Sequence, residues 1–214
     1  MHTIDLKQYP IQFITHQTTN YTYEESAELA LKGGIRWIQL RMKEAPKEEV
    51  KEKAHRIKKL CEAYNALFFI DDYVDIAIEV GAHGVHLGLS DMPIMQAKQL
   101  TDNRLLIGAT ANTFDHIVMH ANAGADYIGL GPYRTTTTKK HLSPILGLEG
   151  ITDIINRCRN NKISLPIYLI GGIQINDIVD IKKMGVDGIA VSSAILQSEN
   201  PLKTAEKFMV DYSK

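Results

Sequence analysis

The sequence predicts an α/β protein, a closed (β/α)8 TIM barrel folded as a single domain over residues 1–214, and three observations predict it. One phrase recurs four times: "GGIRWIQLR" (33–41), "GAHGVHLG" (81–88), "GADYIGLG" (124–131) and "GVDGIAVS" (185–192). Each repeat reads as a glycine that caps a helix in the left-handed conformation, a polar turn, and an apolar run buried on both faces of a sheet. Four further apolar runs fall between them, "IQFIT" (11–15), "ALFFI" (66–70), "RLLIG" (104–108) and "PIYLI" (166–170), which makes eight strands. Finally, amphipathic stretches such as 23–33, 47–64 and 178–186 separate the strands, with no Pro/Gly-rich linker. Strands that alternate with helices form parallel βαβ units, and eight of them close a barrel. An open doubly wound sheet is the alternative, weakened because no G-x-G-x-x-G follows the first strand.

A barrel of this kind places its active site where the strands end, so the residues just after each apolar run are the candidates. The second strand ends "QLRMK"; Gln39, Arg41 and Lys43 alternate and so share one side of the chain. Two cations converging at a barrel mouth suit a phosphate or pyrophosphate, although a surface Arg and Lys with carboxylate partners would read the same. The third strand ends in Asp71 and Asp72, one carboxylate more than a helix cap requires, and the fourth offers His86 and Asp91. Carboxylates on adjacent strand ends form a natural Mg²⁺ site, since that ion takes one or two carboxylates plus phosphate oxygens. For Asp91 the competing reading is an N-cap before Met92-Pro93, and for His86 a core histidine.

The fifth strand presents Thr110 and Asn112, with Asn112 or Thr113 available to cap the next helix. The sixth leads into "GPYRTTTTKK", whose hydroxyls and lysines read as an anion-binding loop carrying Thr136, Thr138 and Lys139. The seventh and eighth strands end in Gly171-Gly172 and Ser192-Ser193. Loops at those two positions form the recurrent phosphate cradle of such barrels. Two anion sites are thus expected at one mouth.

Composition narrows the class. With 24 Lys+Arg against 25 Asp+Glu there is no electrostatic case for nucleic acid or a membrane surface. No apolar run reaches the roughly 20 residues that span a bilayer. Cys61 and Cys158 lack metal-ligand spacing and read as reduced core thiols of a cytoplasmic protein without a signal peptide. The oligomeric state is left open, a homo-oligomer included.

Taken in order, "QLRMK", "DDYVDIAIEVGAHGVHLG", "SDMP", "GADYIGLGPYRTTTTKK", "GLEG", "IGGI" and "GVDGIAVSSAI" resemble the thiamine-phosphate synthase (thiamine-phosphate pyrophosphorylase) family over nearly the whole chain. The resemblance implies a Mg²⁺-dependent barrel that joins hydroxymethylpyrimidine diphosphate to hydroxyethylthiazole phosphate, the diphosphate leaving first. It further implies that Arg41, Lys43 and Lys139 hold the diphosphate and that Asp72 and Asp91 bind Mg²⁺. Gln39, His86 and Thr110 would face the pyrimidine side, with Asp71 a further substrate-binding candidate whose charge lies beside the diphosphate. Thr136, Thr138 and Lys139 would contact both the thiazole phosphate and the diphosphate from the strand-six loop, and Gly171, Gly172, Ser192 and Ser193 would cradle the thiazole phosphate.

The chain departs from the family pattern at Asp71, usually Asn, at Thr110, usually Ser, and at Asn112, commonly His; the loop also lacks the usual proline. The related thiazole tautomerases share the fold and use a histidine where this chain has Asn112, and an amide is no general base near neutral pH. The extra charge of Asp71 keeps a third reading in view, a non-catalytic thiazole-phosphate-binding paralogue.

Overall fold

The computed structural model describes residues 4–135 and 144–213. Eight parallel strands close on themselves in chain order: β1 (Ile11–Ile14), β2 (Trp37–Leu40), β3 (Leu67–Asp71), β4 (Gly84–Leu87), β5 (Leu106–Ala111), β6 (Tyr127–Leu130), β7 (Ile167–Ile170) and β8 (Gly188–Val191), with β8 pairing back to β1. Between them run α1 (Tyr23–Lys32), α2 (Lys47–Ala63), α3 (Val74–Glu79), α4 (Ile94–Leu100), α5 (Phe114–Asn122), α6 (Gly147–Asn160) and α7 (Ile178–Met184); α8 (Ser193–Leu196) and α9 (Pro201–Ser213) follow β8. No helix among the described residues is long and apolar enough to cross a membrane.

The local reasons are visible. Helix α1 starts in a reciprocal capping box, Thr22 Oγ1 accepting the Glu25 N–H at 3.2 Å and the Glu25 carboxylate accepting the Thr22 N–H at 2.8 Å. Gly81, Gly124 and Gly185 adopt φ of 65°, 83° and 73°, the left-handed caps expected at three repeats. In the first repeat that role falls to Gly34, at φ 95°. Helix α9 packs so closely on the end of α1 that a Cβ at Gly33 would collide with that of Ala205.

One strand is misplaced in the sequence reading. Strand β5 runs from Leu106 to Ala111 rather than over 104–108, so Thr110 stands within it and not beyond it. Arg104 belongs to the preceding turn, where Asp102 and Asn103 take φ of 49° and 54°.

The barrel floor is an aromatic plug. The Trp37 ring lies 5.0 Å from Phe69 and 4.9 Å from both Tyr127 and Tyr168, mostly edge to face, with Leu6 and Leu67 beside them. Gly84, Gly108 and Gly188 make room for it: a Cβ at each would run into the rings of Phe69, Tyr127 and Tyr168 respectively. Filling the lower barrel in this way leaves polar chemistry to its upper layer. Cys61 and Cys158 are both free and buried, and burial pushes the Cys61 thiol up to about 12, which leaves it inert.

Candidate active site

Above the plug sits a buried polar layer, Gln12, Gln39, Asp71, His86 and Thr110. Burial of that many polar groups requires partners, and they pair in two sets. In the first, Asp71 is the hub. Gln39 Nε2 donates to Asp71 Oδ1 at 2.8 Å, Arg41 Nε lies 3.5 Å and Lys43 Nζ 3.4 Å from Asp71 Oδ2. The alternation that put Gln39, Arg41 and Lys43 on one side thus brings all three to one carboxylate. The charge expected to repel an anion is matched by two cations. Lys43 also pairs with Asp72, and the three carboxylates Asp71, Asp72 and Asp91 outweigh burial to raise its pKa above the ordinary lysine value. Gln39 Oε1 is buried with no hydrogen-bond partner among the described residues.

Asp72 takes a left-handed conformation, φ 68°, and its N–H donates to the His86 carbonyl at 2.9 Å. Asp91 does not cap a helix: its carboxylate accepts the Gly88 N–H at 2.7 Å, and α4 begins after Pro93 without a side-chain cap. The two carboxyls are close enough to interact, and both line a cavity of about 480 Å³ with Tyr73, Asp75 and Met92. Burial, then the Asp71 charge, then the contact with Asp91 push the Asp72 carboxyl up to about 7. Its Oδ1 is buried and unpartnered among the described residues. Two opposed carboxyls with a free buried oxygen fit a divalent ion that draws its other ligands from water and phosphate. Among the described residues no group of three or more acidic, His or Cys side chains forms a complete metal cage.

The second set is a relay of hydrogen bonds. Gln12 Nε2 donates to the Tyr127 hydroxyl at 3.2 Å, which lies 2.9 Å from His86 Nδ1, while His86 Nε2 lies 2.9 Å from Thr110 Oγ1. Burial raises the Tyr127 pKa, so the phenol keeps its proton, and its remaining acceptor is His86 Nδ1. This assigns the ring proton to Nε2, which donates to Thr110. The Thr110 hydroxyl hydrogen then has no acceptor among the described residues and can be offered to a ligand. Asn112 is engaged elsewhere, donating to the Gly131 carbonyl, and Thr113 caps α5.

Across the mouth, Gly171 and Gly172 take φ of 92° and 69°, conformations that admit glycine readily and other residues poorly. Ser192 Oγ is buried without a partner among the described residues, just ahead of α8, where Ser193 is the first residue. Thr136, Thr138 and Lys139 lie outside the described residues. Sequence reasoning passed over Tyr127 and Gln12, which hold His86. It also missed the end of β1, where Thr15 Oγ1 accepts the Arg41 N–H at 3.3 Å and burial, then Arg41, lowers the His16 pKa. The signal was available, since "ITH" ends an apolar run like the others.

A closed parallel barrel with cations and paired carboxyls gathered at its strand ends has the architecture of a barrel enzyme, whose active site lies at that face. The TMP-TENI family, thiamine monophosphate synthase, matches residues 11–195. The thiamine-phosphate synthase of Bacteroides thetaiotaomicron is 53% identical over 93% of this chain and 95% of its own. That of Flavobacterium psychrophilum is 43% identical over 90% and 94%. The thiamine phosphate pyrophosphorylase structure from Pyrococcus furiosus superposes with a TM-score of 0.86 at 36% identity, covering 98% of both chains. The chain belongs to the thiamine monophosphate synthase family, and the function this supports is a transferase of thiamine biosynthesis.

Proposed function

We propose that this protein joins hydroxymethylpyrimidine diphosphate to hydroxyethylthiazole phosphate, releasing pyrophosphate, through a dissociative pyrimidinylmethyl cation. The observation that carries the reading is the convergence of Gln39, Arg41 and Lys43 on Asp71, beside the opposed Asp72 and Asp91. Breaking the carbon–oxygen bond leaves charge on the departing diphosphate, and Arg41 and Lys43 are fixed donors for it. Asp72 and Asp91 would hold Mg²⁺, which neutralises a leaving diphosphate. Gln39 Oε1, without a partner among the described residues, offers an acceptor to the pyrimidine amino group, and Thr110 a hydroxyl donor. The thiazole nitrogen then forms the new bond to the cationic carbon, so no protein nucleophile takes part. Gly171, Gly172, Ser192 and Ser193 would cradle the thiazole phosphate, with Thr136, Thr138 and Lys139 of the strand-six loop assigned to the two phosphorylated groups by the family resemblance.

A proton-transfer isomerase is disfavoured, because Asn112 is an amide whose nitrogen is bound to Gly131. The test is an endpoint assay with both substrates and Mg²⁺, scored for thiamine phosphate and pyrophosphate. Product that disappears when Mg²⁺ is chelated is expected. Absence of product, with thiazole phosphate still binding by calorimetry, would replace this reading with that of a binding paralogue.

A further inference from the structure

The loops that follow β6 and β7 are locked together by a side chain with no part in the chemistry above. Arg134 grips Asp177 with both terminal nitrogens, Nη1 to Oδ2 at 2.6 Å and Nη2 to Oδ1 at 2.8 Å, and Nη1 also donates to the Gly172 carbonyl at 3.1 Å. The backbones are joined beneath it: the Tyr133 N–H donates to the Ile170 carbonyl at 2.9 Å and the Arg134 N–H to the Gly171 carbonyl at 3.0 Å. Asp177 is itself held, accepting the Gln174 N–H at 2.8 Å. The fit is close, since a Cβ on Gly172 would lie 2.9 Å from the Arg134 Cβ, and one on Gly171 the same distance from that of Pro132.

We infer that Arg134 and Asp177 are a positioning pair, which sets the glycine cradle and the root of the strand-six loop for the phosphate of the thiazole substrate. The inference rests on the site reading above. Both terminal nitrogens of Arg134 are committed to Asp177 and Gly172, so it acts through the loops and not on the phosphate. Binding the Gly172 carbonyl keeps an oxygen acceptor from turning toward an anion. Bidentate geometry fixes direction as well as distance, which a single lysine contact does not. Arg134 is half-exposed although Asp177 is largely buried, so solvent screens the pair in part, its contribution to global stability is modest, and its effect is local.

The experiment compares Arg134→Gln, Asp177→Asn, the double variant and Arg134→Lys, by calorimetric titration of hydroxyethylthiazole phosphate and by steady-state kinetics. Each single substitution should raise the Kd and KM for thiazole phosphate by about tenfold. The kcat at saturating thiazole phosphate should stay within about twofold. The double variant should be no worse than either single one, and Arg134→Lys should fall between. Tm should move by a few degrees at most. Loss in Arg134→Gln but not in Asp177→Asn would overturn the inference, because Arg134 would then touch the phosphate itself. Unchanged binding in both would reduce the pair to a surface contact. Wild-type protein that failed to bind thiazole phosphate would overturn the site reading instead, and the positioning role with it.

Discussion

Asp72 holds a conformation that few side chains adopt, with one oxygen buried and unpartnered among the described residues and a second carboxyl beside it. A fold does not keep such a residue for its own stability. Its carboxyl stands at about 7 instead of 3.8, raised by burial and by Asp71. An acid whose pKa is raised by folding binds its proton more tightly in the folded chain. The metal-free protein is therefore helped below the ordinary value of 3.8 and loses that help as the pH climbs through about 7. A divalent ion reverses the balance, because it needs the deprotonated form. Added Mg²⁺ should raise Tm clearly above pH 7, with the shift shrinking as the pH falls through about 7. Thermal melts with and without Mg²⁺, from acid to mildly alkaline buffer, measure this without any turnover. Asp72→Asn should abolish the shift throughout. An equal Mg²⁺ shift on both sides of pH 7 would separate Asp72 from the metal.

Elements were legible where their signals were strong and lost where function removed them. Eight apolar runs and four glycine turns suffice for the barrel, because strands buried on both faces have no polar alternation to obscure them. Strand β5 was cut short at Gly108 because "ATA" after it reads as loop; Gly108 itself is small so that the Tyr127 ring can occupy the space a side chain would fill. The strand-end rule singled out Arg41, Asp71 and Asp91 as candidates, whereas Arg134–Asp177 and Tyr127–His86 join residues 43 and 41 apart, and no local pattern announces such pairs. Gly108 and Gly124 make the distinction measurable. An alanine at Gly108 would place a methyl inside the Tyr127 ring, costing about 3 kcal/mol and displacing the phenol from His86. Gly124 has nothing within 4 Å but sits at φ 83°, so its alanine should cost only about 1 kcal/mol of backbone strain and leave kinetics untouched. Denaturant melts and turnover of the two variants check both; equal costs would mean that the ring packing does not govern β5.

Across the whole molecule the two ends of the barrel serve different demands. The floor is aromatic and closed from below by Leu6, only 4% exposed, whose carbonyl accepts the Tyr168 hydroxyl at 2.5 Å. The mouth carries the opposed carboxyls, the paired cations and a buried Ser192 hydroxyl that has no partner among the described residues. Conserving energy at one end while leaving groups unsatisfied at the other implies that stability and binding can be separated by substitution. Leu6→Ala should open a cavity under the plug and cost about 2–4 kcal/mol, lowering Tm by roughly 5–15 °C. Its kinetic constants well below that Tm should match the wild type, because no mouth residue moves. Ser192→Ala should do the opposite. Removing a buried hydroxyl that lacks a partner should leave stability within about 0.5 kcal/mol. It should nonetheless weaken thiazole phosphate about tenfold, the loss of one hydrogen bond to a charged group. Thermal melts and calorimetric titration of the pair of variants read the two effects independently. A Leu6→Ala protein with altered affinity would show that the floor transmits strain to the mouth, and a Ser192→Ala protein that lost stability but not affinity would make Ser192 a structural residue.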